Sequence, residues 1–136
     1  MKIFVGFLFL SIVGCSSIHK KECGVEELLS RVSCSEPNLE KIAQHPLGSK
    51  SNPIRSDGPQ GQREYLSRLI CTNNEPVSDF SRAGSVGESP WGFITDLYIV
   101  ICDTDNGVIE HEVYMDLYHT GYKESGVANG FGGIKK

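Results

Sequence analysis

The clearest pattern of apolar and polar positions is a hairpin from Phe93 to Tyr118, two apolar-rich stretches on either side of Asp105-Asn106-Gly107, a hairpin turn signal. A three-residue loop with Gly107 in the left-handed conformation would pair Thr104 with Val108. Ile101 then faces His111, Ile99 faces Val113, Leu97 faces Met115 and Thr95 faces Leu117, so one face is mostly apolar. The other face carries Tyr98 opposite Tyr114, Val100 opposite Glu112 and Cys102 opposite Glu110. A two-residue loop would slide every pairing by one and set apolar residues against charged ones on both faces. The three-residue loop is therefore the expectation. A lone hairpin is marginal in water and needs a covering element. Tyr65, Leu66, Leu69 and Ile70 give residues 62–70 the spacing of a helix packed by one face, and residues 79–86 read as a strand.

Upstream, Val25, Leu28, Leu29 and Val32 predict a helix over 24–32, and Leu39, Ile42 and Ala43 a short one over 37–44, with Pro37 at its first position. His45 to Gly61 holds Pro46, Gly48, Pro53, Gly58 and Pro59 and reads as a loop. Within it, Asn52-Pro53-Ile54-Arg55 is expected to be a solvated connector, the alternative being a shaped loop fixed by a hydrogen bond from Arg55. The tail carries Gly121, Gly126, Gly130, Gly132 and Gly133 and reads as mobile unless Phe131 and Ile134 dock on the core. The fold class is α+β: a small antiparallel sheet centred on the hairpin, with short N-terminal helices.

The chain begins with Lys2, an apolar run from Ile3 to Val13, then Gly14 and Cys15. A positive start, an apolar segment of about 7–15 residues and a small residue before the cut make a secretory signal. The run is shorter than the roughly 20 residues needed to span a hydrocarbon core. Ile12-Val13-Gly14-Cys15 also resembles the lipobox of bacterial lipoprotein precursors. The resemblance implies cleavage before Cys15, a diacylglycerol on its sulfur and acylation of the new amino end. Ser16 rather than Asp after the cysteine implies, by analogy with enterobacterial sorting, the outer membrane facing the periplasm. Residues 1–14 are then a signal peptide, 15–23 a lipidated cysteine and tether, and 24–136 one domain with its Gly-rich tail from about 121.

Loss of Lys2 with the signal takes the net charge from −4 to −5. A mildly acidic domain has no electrostatic footprint for nucleic acid. Beyond Cys15, the cysteines Cys23, Cys34, Cys71 and Cys102 form an even set, which in an exported chain reads as a disulfide framework. Of the three pairings, Cys71–Cys102 with Cys23–Cys34 is favoured. A helix unbroken between Cys23 and Cys34 would span about 16 Å, against the roughly 4.4–6.8 Å a disulfide allows, so that helix is short or that pairing is wrong.

No catalytic signature stands out. In the expected register Asp96 faces Asp116, with His119 three residues on; together they offer ligands to a divalent metal or an acid–base pair. Solvated carboxylates at an open hairpin end are the plainer expectation. Ser85 lies in Gly84-Ser85-Val86-Gly87, which is not a nucleophile elbow. Gly130-Phe131-Gly132-Gly133 is not a phosphate loop. Tyr98, Tyr114 and Tyr118 are candidates for a partner-binding surface, core packing being the alternative reading. No cofactor is expected. The functional expectation is a non-enzymatic, protein-binding lipoprotein, of immunity or accessory-subunit type, with a partner in the envelope. The alternative is a metal-assisted hydrolase using Asp96, Asp116 and His119.

Overall fold

The structure, a computed structural model, describes residues 36–136. Its elements in chain order are α1 (Leu39–Ala43), β1 (Ile54–Asp57), α2 (Gly58–Arg68), β2 (Leu69–Ile70), β3 (Asp79–Glu88), β4 (Ile94–Thr104), β5 (Gly107–Asp116), β6 (Tyr118–Lys123) and β7 (Gly133–Ile134). A five-stranded mixed sheet has the order β3-β4-β5-β1-β6, and β2 pairs with β7 in a small second one. β1 runs parallel to β5 and antiparallel to β6. Cys15, Cys23, Cys34 and the helix expected over 24–32 lie outside the described residues.

The helix α1 starts at Leu39 because Asn38 caps it, its side-chain oxygen accepting from the Lys41 amide at 2.9 Å. The stretch 45–61, expected to be a loop, contains β1 and the first turn of α2. Proline and glycine serve here as joints rather than as loop filler. Gly58 adopts a positive φ of 66°, so the chain passes from strand to helix without a linker. Pro59 occupies the first turn of α2, where its missing N–H costs nothing. Pro53 and Ile54 are fully buried, and the expected solvated connector runs into an internal strand of the sheet, β1, between β5 and β6. α2 lays Gln62, Tyr65 and Leu66 on the sheet, and Leu69 follows in the same stripe. The core is formed by these residues with Ile54, Tyr98, Val100, Val113, Met115 and Ala128.

The strand register differs from the expected one. Thr104 pairs with Gly107, Cys102 with Ile109, Val100 with His111, Tyr98 with Val113 and Asp96 with Met115. The loop has two residues, and Thr104 closes it: its hydroxyl donates to the Gly107 carbonyl at 2.7 Å and accepts from the Asn106 amide at 3.3 Å. The reason lies in what covers each face. On the inner face, under α2, the slip puts Tyr98, Val100 and Cys102 on the same side as Val113 and Met115, all buried. On the outer face it leaves Ile99 opposite Glu112 and Ile101 opposite Glu110. Those glutamates are exposed and keep their water, so the mismatch costs little there. The expected pairing weighed both faces equally, whereas only one is a core.

Cys71 and Cys102, both buried, form a disulfide with a Cα–Cα distance of 5.9 Å. A bridge of sequence separation 31 restricts the unfolded chain by roughly 3–4 kcal/mol in the loop-entropy account. The tail, expected to be mobile, is docked. β7 pairs with β2, placing Ile134 against Leu69. The Asn129 amide donates to the Leu47 carbonyl, the Gly132 amide to that of Ile70 and the Lys135 amide to that of Arg68. Ala128 is buried, and Tyr65 donates its hydroxyl to the Gly126 carbonyl at 3.0 Å. Glycine here permits contact: a Cβ on Gly132 would stand 2.8 Å from the Cys71 carbonyl oxygen. Among the described residues no helix is long and apolar enough to cross a membrane.

Candidate functional site

Side chains alternate between the two faces of a strand, so the one-residue slip separates the groups expected to act together. Asp96, paired with Met115, points inward, and Asp116, the next residue along β5, points outward. The structure brings Asp116 and His119 together and leaves Asp96 elsewhere. The metal-assisted hydrolase reading thereby loses the convergence it requires. Among the described residues no group of three or more His, Cys, Asp or Glu is placed to hold a metal ion. Ser85 is also on the inner side, bonded to Asp96 and not to His119.

The inner cluster is a closed network. The buried Asp96 carboxylate accepts from Arg82 at 2.7 Å, from the Ser85 hydroxyl at 3.0 Å and from Gln62 at 3.3 Å. Tyr98 donates its hydroxyl to the Gln62 side-chain oxygen at 3.0 Å. Burial on its own would raise the Asp96 pKa, but the hydrogen bonds from Arg82, Gln62 and Ser85 outweigh it and hold the carboxyl below its ordinary range. Burial, with the Asp96 charge adding to it, raises the Tyr98 hydroxyl. Tyr98 was a partner-binding candidate; it is a core residue, 5% exposed, and its hydroxyl is committed inside.

The outer cluster is built around Arg55. Because β1 lies beside β5, with Arg55 level with Asp116, the Arg55 side chain emerges on the outer face. Its guanidinium carbon lies 4.3 Å from the Trp91 ring centre and 4.0 Å from that of Tyr122. One guanidinium nitrogen donates to the Tyr122 hydroxyl at 2.7 Å, and that hydroxyl donates to Glu124 at 3.1 Å. Burial raises the Tyr122 hydroxyl, and the Glu124 charge adds to this. Trp91 sits on the turn Ser89–Gly92, closed by hydrogen bonds from the Ser89 amide to Phe93 and from the Gly92 amide to Ser89. Its indole N–H donates to the Pro53 carbonyl at 3.2 Å, which fixes the ring over β1. Cation–π contacts and one hydrogen bond thus hold Arg55; among the described residues it forms no salt bridge.

His119 stands edge-on to Trp91 at 6.2 Å, to Phe93 at 6.1 Å and to Tyr122 at 6.4 Å. Its Nε2 is 3.3 Å from an Asp116 carboxylate oxygen that also accepts from the Tyr118 amide at 3.1 Å. The other Asp116 oxygen, His119 Nε2 and the Thr95 hydroxyl are buried without a hydrogen-bond partner among the described residues. Phe93 stacks on Tyr118 with ring centres 5.3 Å apart, and Tyr118 is 47% exposed. Tyr114, opposite Leu97 on the outer face, is half-buried and donates its hydroxyl to Glu112 at 3.0 Å. The outer arrangement positions aromatic rings and a cation at the surface.

Of the three tyrosines singled out from sequence, Tyr118 is exposed, Tyr114 partly so and Tyr98 is internal. Sequence reasoning named a hydrogen bond from Arg55 only as the alternative for residues 52–55, and it missed Trp91 and Phe93. The one signal was Trp91, the sole tryptophan, within the turn Ser89-Pro90-Trp91-Gly92. No family model matches the sequence, no curated protein is similar to it, and no solved structure matches its fold.

Proposed function

We propose that this chain is a small envelope lipoprotein, anchored through the lipid on Cys15 at the outer membrane and facing the periplasm, whose domain binds another envelope protein. It acts without catalysis, as an immunity-type protein or an accessory subunit. The observation that carries the binding reading is an aromatic cluster in which Trp91 and Tyr122 bracket Arg55 and Phe93 stacks on the exposed Tyr118. Large rigid aromatics and arginine dominate the energetics of protein interfaces. Tyr118 is exposed on its Phe93 platform, and the Arg55 guanidinium is oriented in advance by two rings. Preorganisation of that kind lowers the entropy cost of association. The anchor rests on the lipobox-type segment before Cys15.

The test is affinity capture of the lipidated, C-terminally tagged protein from detergent-solubilised envelopes, beside its Tyr118→Ala variant. One stoichiometric partner is expected with the native chain, and at least tenfold less of it with the variant, whose thermal unfolding stays close to native. Failure to retain a partner in repeated mild extractions, or equal retention by both proteins, overturns the reading. The anchor is tested separately: Cys15→Ser should end incorporation of labelled palmitate and release the protein from membranes.

A further inference from the structure

Beyond the Arg55 cluster, the outer face carries a second feature, an aliphatic stripe with an acidic border. Leu97, Ile99 and Ile101 are half-buried in a row along β4, and Val108, paired with Asp103, is 63% exposed. Asp79 stands opposite Ile101 on one side, with Glu110 and Glu112 opposite Ile101 and Ile99 on the other; Asp103 closes the turn end. All four carboxylates are exposed, and none forms a salt bridge among the described residues. From Asp79 to Asp116 the chain has eight Asp or Glu, one Arg and no Lys. That arginine, Arg82, is paired with Tyr98, and His111 with Val100, so both belong to the inner face. The outer face of these three strands therefore holds no basic side chain.

We infer that this face is the docking surface for a basic protein partner, one presenting an aliphatic ridge flanked by lysine or arginine. The inference rests on the protein-binding reading and names the partner's chemistry. Glu110 and Glu112 alternate on one strand and repel each other without a counter-charge, a cost that a basic flank relieves while it steers the encounter. The aliphatic row supplies the water-excluding centre. Phosphate-bearing partners, nucleic acid or anionic lipid, meet a face of their own sign. Two copies of this chain would bring acid to acid in a twofold pairing.

The probes are fluorescent helical peptides of about 18 residues with one leucine stripe, flanked in one by lysine and in the other by glutamate. They are titrated by anisotropy against the full mature polypeptide carrying Cys15→Ser, which takes no lipid, so no micelle competes. The lysine peptide is expected to bind at least tenfold tighter than the glutamate peptide. The preference should shrink as salt rises from about 0.05 to 0.5 M and reverse in the Glu110→Lys/Glu112→Lys variant. Absent or equal binding, or a preference that survives the charge reversal, overturns the inference. So does a photo-crosslinker in place of Ser81 that joins residues 16–35 of the same chain. If the envelope capture still yields a Tyr118-dependent partner, this inference alone falls; if that capture fails too, the binding reading falls with it.

Discussion

Two arginines on opposite faces of the sheet are held in different ways. On the inner face Arg82 meets a buried carboxylate at 2.7 Å, and the Asp96 network closes around it with Ser85, Gln62 and Tyr98. On the outer face Arg55 lies between the rings of Trp91 and Tyr122, without a carboxylate partner among the described residues. The first arrangement satisfies Asp96 so that it can be buried. The second fixes the position of a cation and leaves its charge to act outward. The inner face buries its charge in a hydrogen-bonded network, whereas the outer one holds its cation between aromatic rings.

The contrast breaks most visibly by truncation. Leu66→Ala removes a fully buried side chain under α2 and should cost about 2–5 kcal/mol in urea unfolding. Tyr118→Ala, at an exposed ring stacked on Phe93, should cost less than about 1 kcal/mol, in the range of surface changes. Equal losses would mean that the Phe93–Tyr118 stack is also core.

A smaller effect separates the faces by pH. Asp96→Asn should cost about 1–3 kcal/mol at pH 7, the range for hydrogen bonds to a buried charged group. The carboxyl is depressed in the folded protein, so its contribution is complete above the ordinary carboxylate range near pH 4. It is lost as pH falls through the lower folded value. The native urea midpoint should drop on acidification through that window, and part of the drop should be missing in Asp96→Asn. An unchanged acid limb would remove the network from the account of stability.

Smallest is the effect on the clamp. Arg55→Lys keeps the charge but loses the planar stacking and should cost about 0.5–2 kcal/mol. Trp91, the sole tryptophan, reports it directly: its emission should shift in Arg55→Lys and stay as native in Asp96→Asn. A shift of the same size in both would show that the two faces are coupled.

The sequence by itself determined the coarse class, a sheet with short helices, and favoured the Cys71–Cys102 bridge among three pairings; the structure decided it. The stripe of Tyr65, Leu66 and Leu69, and an even set of cysteines beyond Cys15, are local or countable signals. Only the tertiary structure decided the register, the fate of 45–61 and the docking of the tail. A strand's alternation says which residues share a face and not which face a helix will cover, so Tyr98 moved from surface candidate to core. One slipped residue then put Asp96 and Asp116 on opposite sides. β1 is four residues long between prolines and glycines, too short to carry a periodic pattern. Its partners, β5 and β6, come about 60 residues later in the chain. The Arg55 cluster combines β1, the turn at Ser89–Gly92 and β6, and such long-range closure leaves no mark on any one of the three segments.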